Sequence, residues 1–146
     1  MFQAIHNVTT RLLTQPTIAS LLFPLARISL ALVFVMAGFN KLGDGYDGTV
    51  QYMASMGVPG YLLPLVIALE IGGGLALMAG WQTRATAVLL AVFSLTTGYI
   101  FHSAIDDPMQ KILLLKNISI AGGLLILSLT GAGRLSVDRT LYRDGV

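Results

Sequence analysis

Glu70 is the only charged residue in an otherwise almost wholly apolar run from Tyr61 to Ala79, YLLPLVIALEIGGGLALMA. About 20 such residues let a helix cross the roughly 30 Å hydrocarbon core of a bilayer. A carboxylate at that depth is costly, so it is expected to face protein or a water-filled pocket, and to be paired. Three other apolar runs carry polar groups of their own. Arg27 lies one to two turns inside the first, and Asn40 and Lys41 close it. His102 ends the third, and Lys116 and Asn117 sit within the fourth. Placed by depth at about 1.5 Å per residue, Glu70 falls near the midplane, with Lys116 and Asn117 nearer one face. Asn40, Lys41 and His102 lie close to that same face, and Arg27 falls in the opposite half. The set describes a pocket between helices with Glu70 at its floor. An acid, a histidine and lysines can hydrogen-bond a ligand head group or move a proton, and no single residue is singled out as catalytic.

Each group also has a purely architectural reading. Glu70 with Lys116, or with Arg27, could be an ion pair that fixes helix register. Arg27 could extend to the headgroups, Lys41 and Lys111 could mark the interface, and His102 could anchor a helix end. Several chemistries are disfavoured outright. The chain has no cysteine, so it offers no disulfide, no thiolate metal site and no thiol redox of its own. His6 and His102 lie near opposite faces, which argues against a two-histidine metal or haem site, and no metal is expected. The glycines lack the strand–turn–helix context of a phosphate loop, and no serine, histidine and acid are placed for nucleophilic catalysis.

The elements that hold these residues follow from composition. Of 146 residues 55% are hydrophobic and 11% charged, against roughly 25% charged in an ordinary soluble domain, and mean hydropathy is +0.77. The fold class is all-α, a four-helix integral membrane bundle forming a single domain over 1–146, with spans at about 20–42, 61–79, 85–102 and 112–130. Before the first span, Phe2, Ile5, Val8 or Thr9, and Leu12 have near-helical spacing and Pro16 closes the segment. That predicts a short amphipathic helix in the membrane interface, and the segment lacks the pattern of a cleavable signal. In the first loop, Asp47 or Thr49 could cap a short helix that runs through Met56 and ends at Gly57. The second and third spans join at Gly80–Thr83 as an antiparallel pair. Arg11, Arg84, Arg134, Arg139 and Arg143 share one side while the aspartate loops share the other, so both termini are expected in the cytoplasm. A net charge of +2 gives no reason to expect a nucleic-acid partner.

Small residues predict where helices approach. Gly72, Ala76 and Gly80 fall four apart, and with Gly73, Gly122 and Gly123 they are the expected helix-packing positions. The segment Ile71-Gly72-Gly73-Gly74-Leu75 resembles Ile120-Ala121-Gly122-Gly123-Leu124, which suggests two packed hairpins with the second and fourth spans in equivalent places. The same stripes could join two copies as a homodimer.

From Pro24 to Asp138 the chain resembles the DoxX family of small bacterial inner-membrane proteins. The resemblance is carried by Arg27, Phe34, Ala37-Gly38, Lys41-Leu42, Gly57-Val58-Pro59, Glu70-Ile71-Gly72-Gly73, Leu75, Leu77, Gly80 and Thr83-Arg84. It continues with His102, Lys116, Gly131, Gly133, Ser136 and Asp138. The resemblance implies a four-helix fold in the plasma membrane and a link to redox or oxidative-stress systems, with a quinone as the implied cofactor class. No cofactor is evident from the residues themselves. The expected function is an accessory subunit that binds a quinone-like or other small amphiphile, or that anchors a redox partner protein. Arg27 would serve as counter-ion to Glu70. Alternatives are a quinone-linked oxidoreductase subunit, and a small transporter or channel that acts as an oligomer.

Overall fold

A computed structural model describes residues 1–142; Arg143, counted above on the basic side, lies outside them. The described residues form helices and turns with no strand. The first helix, α1 (Phe2–Leu13), buries no residue, and its apolar positions Phe2, Ile5, Val8 and Leu12 are all exposed. Only Thr14 and Gln15 separate it from α2 (Pro16–Asn40). Pro16 opens the span, where a missing N–H costs nothing. The helix therefore begins four residues before the expected boundary, and Pro24 lies inside it.

The short helix α3 (Gly45–Ser55) has Asp44 at its N-cap position, three to five residues before the caps expected from sequence. Thr49 instead returns its hydroxyl to the Gly45 carbonyl. The helix does end at Gly57, whose φ of +74° is the left-handed conformation that glycine adopts without steric cost. The second span, α4 (Gly60–Ala79), is not uniform. A 3₁₀ turn over Gly60–Leu62 leads into an α-helical stretch, a π-helical turn covers Leu69–Gly73, and the α-helix resumes at Gly74. Next come α5 (Thr83–His102) and α6 (Pro108–Thr130). The Asp107 carboxylate caps α6 by accepting from the Met109 and Gln110 amides, and Pro108 takes the first position. That capping signal moves the start of the span four residues earlier than expected. A last helix, α7 (Val137–Leu141), is capped by the Ser136 hydroxyl.

The four spans are long and apolar enough to cross a membrane. Their outward residues are Leu, Ile, Val and Met, such as Leu21, Leu25 and Leu32 on α2 and Leu89, Val92 and Leu95 on α5. Such a surface is stable in hydrocarbon and not in water. Inside, one core cluster joins Ala31 and Phe34, Leu77, Ala87 and Leu90, and Ala121 and Leu124 from all four spans. A second cluster, Met53, Leu63 and Ile67, seats α3 on the end of the bundle.

Close helix approach uses a face of α4 different from the one expected. The buried series on α4 is Leu63, Ile67, Glu70, Gly74 and Leu77, spaced three and four apart. Gly74 lies on this face against Val35 and the Ala31 carbonyl of α2, and Gly38 of α2 lies against Ile71 and Glu70. Gly72 falls two residues past Glu70 and so projects away from it, and Gly72 and Gly122 meet only open space. Ala76 lies on the flank, and Gly80 is buried because it ends the helix at φ +71° beneath Arg27 and Ser136. Gly73 and Gly123 do pack, and reciprocally. Gly73 of α4 accommodates Leu90 of α5, while Gly123 of α6 accommodates Leu30 of α2. Each hairpin thus inserts a leucine from its first span into a glycine on the second span of the other, as the internal repeat suggests.

The contrast gives a direct expectation. A methyl at Gly38 would stand 2.6 Å from Ile71 and one at Gly74 2.6 Å from Val35. Gly38→Ala and Gly74→Ala should therefore each destabilise by about 1–3 kcal/mol through overpacking. Gly72→Ala should be neutral or stabilising by up to about 1 kcal/mol, from helix propensity. Thermal unfolding of the detergent-solubilised variants should show melting temperatures moving in opposite directions. A loss at Gly72 as large as at Gly74 would contradict this packing.

Candidate functional site

The polar residues separate into two groups at opposite ends of the bundle. At the end that carries the aspartate loops, Lys41 caps the C-terminus of α2 and turns its side chain back along the helix. Its Nζ donates to both carboxylate oxygens of Glu70, each at 2.9 Å, and to the Ala37 carbonyl at 3.1 Å. All three ammonium protons are therefore used. Glu70 is 5% exposed and is the buried residue of the π-helical turn. Single turns of this kind inside α-helices are frequent at functional sites. The glycine at position 38 brings α2 against Glu70 and Ile71, so the acid is level with the last turn of α2. It thus lies nearer the end of the bundle than its mid-span place in α4 indicates, because α4 and α2 are staggered.

This pairing corrects the expected counter-ions. Glu70 is joined by Lys41, rather than by Arg27 or Lys116. Arg27 is at the other end, 2% exposed, and acts on backbone. Its guanidinium donates to the carbonyls of Met78, Ala132 and Leu135. It neither reaches the headgroups nor approaches the acid. Close by, the Asp138 carboxylate accepts from the Gln82 and Thr83 amides at 2.7 and 2.9 Å, and the Asp138 amide donates to the Gly80 carbonyl. Arg27 and Asp138 together fasten the segment after α6 across the α4–α5 turn.

A cavity of about 390 Å³ opens above Glu70, between α2, α3, α4, α5 and α6. Lys41, Glu70, His102, Lys116 and Asn117 line it, and Asn40 does not. Asn40 is exposed on the outer side of α2. His102 is half-buried with its Nδ1 2.8 Å from Gln110 Oε1, which leaves Nε2 for another partner. The Asn117 amide donates to the Leu113 carbonyl and leaves its own oxygen available. Asn117 lies against Gly98, where any side chain on α5 would displace it. Apolar wall comes from Phe34, Phe93, Phe101 and Met53, and Tyr52 packs on Phe101 with ring centroids 5.4 Å apart. The rim residues Val33, Thr96 and Lys116 are exposed and belong to three spans, so the cavity reaches the lipid-facing flank of the bundle.

Reasoning from sequence missed Ser94, Thr97, Gln110 and the aromatic pair as parts of this site. Gly98, the lone glycine of the third span, was a signal for a close approach there. The Asp138 role was also missed, although Asp138 belongs to the pattern of the resemblance.

Comparison with known proteins agrees with this architecture. The DoxX family model matches residues 22–103. Inner membrane protein YqjF of Escherichia coli is 49% identical over 118 residues, covering 81% of this chain and 90% of the relative. Inner membrane protein YphA of the same organism is 42% identical over 122 residues, covering 79% and 86%. A Bacillus subtilis protein named "Putative oxidoreductase CatD" is 28% identical over 125 residues, covering 82% and 86%. No solved structure matches. With its four apolar helices and the family match through the Lys41–Glu70 segment, the chain belongs to the DoxX family and is a multi-pass inner-membrane protein.

Proposed function

We propose that the cavity above Glu70 binds one small amphiphile of the quinone class, and that the protein serves a membrane redox system as its binding subunit. The observation that carries this reading is the mixed hydrogen-bonding capacity of an otherwise apolar chamber. Glu70 retains lone pairs beyond the two used by Lys41, and His102 Nε2 and the Asn117 oxygen are unclaimed among the described residues. Lys116 is a donor without a protein partner among them. A head group whose oxygens alternate between carbonyl and hydroxyl needs both kinds of partner, and aromatic walls suit its ring. A volume of about 390 Å³ accommodates a ring-sized head group, so a long tail would leave through the rim at Val33, Thr96 and Lys116. The positive-inside bias favours the arginine end in the cytoplasm, an orientation that would turn this cavity toward the outer face.

Lys116→Met and Thr97→Phe test the reading away from the ion pair, one by removing a donor and one by filling space. Quinones extracted from gently purified protein and measured by mass spectrometry should be retained by the wild type. The lysine variant should lower that content by about tenfold or more, the value of a hydrogen bond to a charged group, and the phenylalanine variant should lower it by occupying the chamber. Wild-type protein that carries bulk phospholipid alone, or folded variants with unchanged quinone, would count against it. The name of the Bacillus subtilis relative favours a second reading, in which bound quinone accepts electrons from an external donor. Donor-dependent quinone reduction by the purified protein would support that reading.

A further inference from the structure

At the arginine end, remote from Glu70, a basin of about 710 Å³ lies between the α4–α5 turn and the segment that follows α6. Arg84, Arg134 and Arg139 line it and are exposed. Among the described residues one carboxylate, Asp138, lines it too, but both of its oxygens already accept backbone amides. Among these residues three guanidinium groups thus face one internally satisfied acid. Arg84 uses only Nη1, which donates to the Ser128 and Leu129 carbonyls at the end of α6. Its Nη2 and Nε have no partner among the described residues, and the glycine at position 131 keeps the space beside them clear.

A second hollow begins at the same Arg84. This groove of about 550 Å³ runs along the lipid-facing flank over Ala85, Val88, Leu89 and Val92, with Ser128 on its far side. Residues 84, 88 and 92 share one face of α5, so the groove extends about 12 Å into the hydrocarbon. A cationic basin for a phosphate joins directly onto an apolar trough. We propose that this end of the bundle holds one anionic phospholipid, its phosphate between Arg84, Arg134 and Arg139 and an acyl chain along the trough. Charge complementarity selects the head group, since forked guanidinium donors match phosphate oxygens. The trough selects a lipid over a soluble phosphate.

Native mass spectrometry from vesicles of equal phosphatidylglycerol and phosphatidylcholine tests this, with soluble glycerol phosphate as a separate arm. Wild-type protein should retain a phosphatidylglycerol in preference to phosphatidylcholine and should not bind glycerol phosphate comparably. Arg134→Gln with Arg139→Gln spares the carbonyl contacts of Arg84 and should weaken retention about 25-fold, near fivefold per arginine. Ala85→Phe fills the trough at an exposed position and should weaken it as well, while Lys111→Gln at the opposite end should not. Equal retention of the two lipids would overturn the proposal. So would loss in the arginine variant alone, which would indicate surface charge without a site. Glycerol phosphate binding as tightly as the lipid would assign a free phosphate, and a dimer that Ala85→Phe dissociates would assign the trough to a second copy.

Discussion

Replacing Arg27 by leucine is expected to produce the largest loss of stability of any substitution at the arginine end. The guanidinium is almost wholly buried and donates to three carbonyls on two separate segments, Met78 at the end of α4 and Ala132 and Leu135 after α6. Removing it strands those acceptors in a region where water is scarce, and each buried acceptor left without a donor costs about 1–3 kcal/mol. Arg27→Lys should recover little of this. An ammonium is a compact point charge on a flexible stem, whereas the planar fork reaches carbonyls in three directions at once. Gly80 reinforces the demand, because a methyl there would stand 2.6 Å from Nη1. The loss should be local before it is global. Hydrogen exchange over residues 132–141 should accelerate, and trypsin should reach Arg134 and Arg139, while the α5–α6 pair remains protected. Native-like protection of that segment in Arg27→Leu would contradict the role assigned here. Asp138→Asn should give a smaller effect of the same kind, since its amide bond to Gly80 survives.

The extent to which this molecule was legible from sequence depends on the range of the interaction involved. The four spans were readable because bilayer thickness imposes one length on all of them, and hydropathy over about 20 residues carries that length directly. Boundaries shifted where capping decided them, as at Asp107-Pro108 and at Pro16. Of the seven polar residues singled out, Lys41, Glu70, His102, Lys116 and Asn117 line one cavity while Arg27 and Asn40 do not; polar groups in hydrocarbon have few places to go. Partner choice was not legible. It depends on the stagger of α2 against α4, which Gly38 and Gly74 set through contacts far apart in sequence. The four-residue glycine spacing misled for the same reason: Gly72, Ala76 and Gly80 are periodic, but the face turned to α2 runs through Glu70 and Gly74. Arg27 appeared to be a counter-ion because carbonyl groups, its actual partners, leave no trace in side-chain identity.

The Lys41–Glu70 pair is where structure and function can be separated by experiment. Lys41→Met leaves a 5% exposed carboxylate without its cation, and is expected to cost about 3–5 kcal/mol. Glu70→Gln keeps an acceptor near the half-buried lysine and should cost less, about 1–3 kcal/mol. Joining the two changes removes both charges at once, so the double variant should regain most of the loss at Lys41→Met. Unfolding of all four proteins under one detergent condition then yields the coupling, expected at about 2 kcal/mol or more for groups in direct contact. The stable double variant is the informative one for function, because its helices remain in register while the charge at the cavity floor is gone. If Glu70 meets the head group of an amphiphile, this folded protein should purify empty. If it carries the same quinone content as the wild type, the pair serves only to hold α2 against α4, and binding must be sought among His102, Lys116 and Asn117. A double variant that fails to regain stability would instead mean that the charges themselves fix the helix register. An ion pair can do that alongside the Gly38 and Gly74 contacts, since a shifted register would leave a buried charge without its partner.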